Sequence, residues 1–70
     1  MDTNRRNSLG SKLRYAREKQ GLSLETLADM SGVSFAYIWR IEQGRVSAGI
    51  DILCKLADAL GIKVYDLIDF

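Results

Sequence analysis

The sequence predicts an all-α domain of five helices, and three observations carry that expectation. The chain contains no proline, so no helix need be broken from within. Glycines at positions 21, 32, 44 and 61 divide it into blocks of helical length. Inside the blocks apolar residues recur three or four apart, and no run alternates well enough to read as a strand.

Leu9, Leu13 and Ala16 follow that spacing and give a first helix ending near Gln20, with Gly21 just past its end. The polar residues 1–8 read as a flexible arm, leaving 9–70 as one domain. Arg5 and Arg6 in that arm are expected either to stay free in solvent or to follow a nucleic-acid backbone. Ser23 can cap a second helix running through LETLADM, with Glu25 well placed in its first turn. A tight break at Ser31-Gly32-Val33 follows, and Ser34 can cap a third helix that Gly44 ends. Leu27 and Ala28 are expected to point inward from the second helix, and Ile38 and Ile41 from the third. Two short helices joined by a turn of three or four residues leave the second free to enter a DNA groove. Ile50, Leu53, Leu56, Ala57 and Leu60 make a regular stripe for a fourth helix, about 50 to 60, closed by Gly61. Val64, Leu67 and Ile68 suggest a short fifth.

Composition narrows the function classes. Seventy residues, 47% of them hydrophobic, make one small folded domain. The apolar residues are too dispersed for a membrane span, and MDTNRRNS precedes no apolar run of the signal-peptide kind. Cys54 is the one cysteine, which fits a reducing cytoplasm, and it reads as a small core residue on the fourth helix. With no histidine and one thiol, neither a structural metal nor a cofactor site is expected, and no small-molecule ligand is evident. Glu25 and Asp29, four apart, read as a solvated face and not as a catalytic pair, so an enzyme is not expected. Residues 1–45 carry eight Lys/Arg against five Asp/Glu, a balance of +3, and residues 46–70 carry two against four, a balance of −2. A basic front and an acidic back suit a protein that docks by one face.

The segments LGSKLRYAREKQGLSLETLADMSGVS, YIWRIEQGR and ILCKLADALGI resemble the Cro/C1-type (Xre-like) helix-turn-helix family of bacterial and phage repressors, over roughly residues 9–68. The resemblance implies a compact lambda-repressor-like DNA-binding domain whose third helix reads the base pairs. It also implies a homodimer on double-stranded DNA at a partly palindromic operator. Arg17 and Glu42 match a structural ion pair of the family that fixes how the first and third helices pack. Two departures stand out. Leu24 occupies a position where the family commonly has a phosphate-touching glutamine. The recognition helix carries Phe35, Ala36 and Trp39 where short polar residues are common.

On this reading Ser34, Phe35, Ala36, Tyr37, Trp39 and Arg40 lie around the recognition surface. Arg40 suits guanine, because a guanidinium can bond O6 and N7 together, while Phe35 and Ala36 can touch thymine methyls. Trp39 could donate its indole N–H to a phosphate or lie along the sugar edge. Tyr37 could pack on helix four or reach the DNA backbone. Ser23, Gln43 and Arg45 would flank the groove as phosphate contacts. The alternative is a protein-interaction module of the same fold, anchored by Phe35, Tyr37 and Trp39. Val64 and Leu67 are expected to cover the core, leaving Tyr65, Ile68 or Phe70 for a partner subunit.

Overall fold

The computed structural model describes all 70 residues. Its helices are α1 (Thr3–Lys19), α2 (Leu24–Ser31), α3 (Phe35–Glu42), α4 (Ile50–Leu60) and α5 (Val64–Ile68). The capping chemistry explains most boundaries. The Ser23 hydroxyl accepts from the Thr26 N–H at 3.0 Å, and the Ser34 hydroxyl from the Tyr37 N–H at 3.2 Å. Each satisfies an amide that a helix start leaves without an internal partner. At α5 the Lys63 N–H donates to the Asp66 carboxylate at 3.0 Å. Gly32 takes φ +74 in the α2–α3 turn, the conformation expected there from the glycine itself.

α1 packs on α3 and α5, α2 on α3 and α4, and α4 on α5. Every helix contributes to a core that includes Leu9, Leu13, Leu27, Ile38, Ile41, Leu53, Leu56, Leu60 and Leu67. Val33 plugs it from the α2–α3 connection and Ala48 from the α3–α4 connection. Ala28 is half-buried against this core. No helix is long and apolar enough to cross a membrane.

The structure corrects the sequence reading at two places, the arm and Cys54. Residues 1–8 are not an arm: α1 begins at Thr3, and the Asp2 carboxylate accepts from the Arg5 N–H at 2.8 Å. Arg5 also pairs with Asp2, and Arg6 is half-buried. Polarity misled here, because a polar segment with a capping aspartate and no proline can extend a helix already held by its apolar turns. Cys54 is exposed and not a core residue. Leu53, Leu56, Ala57 and Leu60 set the inward face of α4, and position 54 falls about 100° around the helix from Leu53. Ile50 lies in the first turn of α4, beyond the reach of the core, and is 62% exposed. Ile68 is half-buried against the core, so the exposed apolar residues at this end are Tyr65 and Phe70.

Candidate nucleic-acid interface

The position of α3 is fixed first by one ion pair. Arg17 on α1 donates from Nε and Nη2 to the two Glu42 oxygens at 2.8 and 3.0 Å, and from Nη1 to the Leu22 carbonyl at 2.8 Å. The Arg17 and Glu42 side chains are only 11% and 4% exposed. Planar guanidinium against planar carboxylate allows little rotation between the helices that carry them. The hydrogen bonds to Glu42, and then its charge and that of Glu18, outweigh burial and raise the Arg17 pKa above its ordinary value. A guanidinium stays charged in proteins, so the contact is an ion pair whose geometry sets how α1 and α3 meet.

Close backbone approach fixes α3 a second time. Gly10 on α1 faces the carbonyls of Ile41 and Glu42, and a Cβ at position 10 would collide with both. Nothing in the spacing of residue types singled out Gly10, because a lone glycine inside an amphipathic helix reads as a neutral position. A third tie, from the Gln20 side-chain amide to the Leu60 carbonyl at 2.6 Å, joins the ends of α1 and α4.

With its inner face committed to Ile38 and Ile41, α3 turns the rest outward. Ser34, Phe35, Ala36, Trp39, Arg40, Gln43 and Arg45 are all exposed, as is Ser23 at the start of α2. Phe35 and Trp39, i and i+4, share one side of the helix. Neither Arg40 nor Arg45 has a carboxylate within ion-pair distance, so both charges are free for an anionic partner. Arg45 instead stacks on Trp39, its guanidinium carbon 5.3 Å from the ring centroid. Tyr37 stands apart from this set. It is half-buried against the core, and its hydroxyl donates to the Ser47 carbonyl at 3.1 Å in the α3–α4 connection. The ring of Tyr37 thus packs on the core while its hydroxyl hydrogen bond lies at an exposed position. At α2 the half-buried Leu24 side chain faces the core and its amide lies in the first helical turn. The turn's free amides point outward from a helix start and favour an anion.

The sequence and the fold recur in known proteins. The HTH_3 family model, described as helix-turn-helix, matches residues 13–67. The control protein C.BamHI of Bacillus amyloliquefaciens is 37% identical over 71 residues, covering all of this chain and 88% of that protein. A relative from Methanosarcina acetivorans is 40% identical over 60 residues, 86% of this chain, but the chain spans only 18% of its length. Among solved structures, the restriction-modification controller protein C.AhdI from Aeromonas hydrophila superposes with a TM-score of 0.86 at 37% identity. The match covers 89% of this chain and 94% of that one. The DNA-binding domain of BldD superposes with a TM-score of 0.86 at 31% identity, covering 97% and 99% of the two chains. The chain belongs to the Cro/C1-type (Xre-like) helix-turn-helix family of DNA-binding transcriptional regulators, which are not enzymes.

Proposed function

We propose that this chain is a sequence-specific regulator, most simply a repressor, that acts in the cytoplasm as a homodimer on a partly palindromic operator. The observation that carries this reading is the outward face of α3. It is held rigidly by the Arg17–Glu42 pair and Gly10, and its two arginines have no carboxylate partner. Arg40 supplies the base-reading contact, with Phe35 and Ala36 against thymine methyls. Ser23, Ser34, Gln43 and Arg45 hold phosphates at the flanks. A single recognition helix spans only a few base pairs, too little to single out one site in a genome. Two such helices about 34 Å apart would double the sequence read. Exposed Tyr65 and Phe70 offer apolar surface for that pairing. The likeness to two controller proteins over nearly their whole lengths supports a role of that kind, in which the regulator governs expression of a restriction-modification system.

The test compares Arg40→Ala and Arg45→Ala on operator and random duplexes across a range of salt. Arg40→Ala is expected to cost about 1–3 kcal/mol on the operator and to relax preference at one base position per half-site. Arg45→Ala should weaken binding to both duplexes alike and lower the salt slope by about one. Identical behaviour of the two variants would refute this division of roles. Failure of the wild type to bind either duplex even at low salt would favour the aromatic protein-interaction module instead.

A further inference from the structure

The end of α3 is closed in a way that gives Trp39 and Arg45 a joint role. Gly44 takes φ +71. Its N–H donates to the Ile41 carbonyl at 3.0 Å, and the Arg45 N–H donates to the Arg40 carbonyl at 3.0 Å. This pair of bonds is a Schellman closure, which turns the chain back along the last turns of its own helix. The residue after the glycine then meets the side chain lying on the preceding turn, and the usual meeting is apolar. Here the two residues are Arg45 and Trp39, and the contact is a cation over an indole face. Gly44 is held from the other side as well, since a Cβ there would collide with the Asn7 side chain of α1.

We propose that Trp39 is a positioning residue for Arg45: the stack holds the guanidinium beside the end of the recognition helix, already arranged for a DNA phosphate. Trp39 then strengthens DNA binding through Arg45 and not through a contact of its own. This rests on the DNA-reading role of α3 proposed above. The contact is electrostatic and commits none of the guanidinium N–H groups to an acceptor, and those are the groups that bond phosphate oxygens in pairs. A loose arginine loses rotamer freedom when it binds, whereas one already stacked has little left to lose. Trp39 is 39% exposed, so the pair sits at the surface where a duplex can reach it.

The test is a double-mutant cycle on a random-sequence duplex, which removes base reading from the measurement. Trp39→Leu keeps apolar bulk but loses the ring face, Arg45→Gln removes the charge, and the third variant carries both changes. Trp39→Leu is expected to weaken binding about two- to fivefold per bound subunit. The double variant should bind no more weakly than Arg45→Gln alone, and Trp39→Phe should recover part of the loss. Factors that multiply in the double variant would mean that Trp39 acts independently, and would overturn the proposal. Proton NMR of the free protein gives a second readout. Arg45 side-chain resonances should be ring-shifted in the wild type and revert in Trp39→Leu with helical content unchanged; unshifted wild-type resonances would also overturn it. If the wild type bound no duplex at all, the DNA reading itself would fall and this role with it. That failure is distinct from a multiplicative cycle, which removes only the positioning role.

Discussion

Replacing Arg17 with methionine would remove the cation from a nearly sealed pair while keeping most of the side chain's apolar length. Three hydrogen bonds disappear, two to Glu42 and one to the Leu22 carbonyl. The larger effect is what remains. The Glu42 side chain is 4% exposed, so its carboxylate would stay buried without its counter-charge. Breaking one partner out of a buried pair costs about 3–5 kcal/mol, against about 0–1 kcal/mol for an exposed pair. A domain of this size seldom has more than about 3–5 kcal/mol of net stability. Arg17→Met is therefore expected to be largely unfolded near room temperature. Urea and thermal unfolding followed by circular dichroism measure this directly, at about 4–8 °C of Tm per kcal/mol. Adding Glu42→Gln should recover part of the loss, because the stranded charge goes with it. A loss below about 1 kcal/mol, or no recovery in the double variant, would refute the assignment of a buried, structurally essential pair.

Two further outcomes follow from the packing. Gly10→Ala should destabilise by about 1–3 kcal/mol, although alanine is the better helix former, because its methyl would strike the Ile41 and Glu42 carbonyls; chemical denaturation checks the sign. Tyr65→Ser with Phe70→Ser should shift sedimentation toward monomer and lower operator affinity with helical content intact, since both side chains are exposed. Unchanged sedimentation and affinity would remove these residues from the subunit interface.

The parts legible in the sequence are those in which one residue dictates local geometry. Ser23 and Ser34 sit where only a cap makes sense, and Gly32, Gly44 and Gly61 stand where a helix must turn back, so α2 to α5 lie close to where spacing put them. The start of α1 is not legible from polarity, because TNRRNS is polar throughout while Asp2 supplies the cap that lets it join the helix. Cys54 and Ile50 show the limit of residue-type reasoning on a helix face. Both are apolar, and neither lies at the angle or depth where the core is. Arg17 and Glu42 are 25 residues apart, a separation no periodicity connects, and only the family resemblance joined them. The Arg45–Trp39 stack was hidden for another reason. It follows from the closure at Gly44, whose glycine marked the end of α3 without indicating that the next residue folds back on the helix.

On the function proposed, the outward face of α3 reads DNA as one of a symmetric pair. Selection of genomic fragments by the wild-type protein, followed by hydroxyl-radical footprinting of the enriched site, tests it most directly. The expected result is one enriched sequence with two mirrored, protected half-sites whose centres lie about 34 Å apart, one helical turn, or a multiple of it. Absence of any enriched sequence, or a single footprint without symmetry, would contradict it.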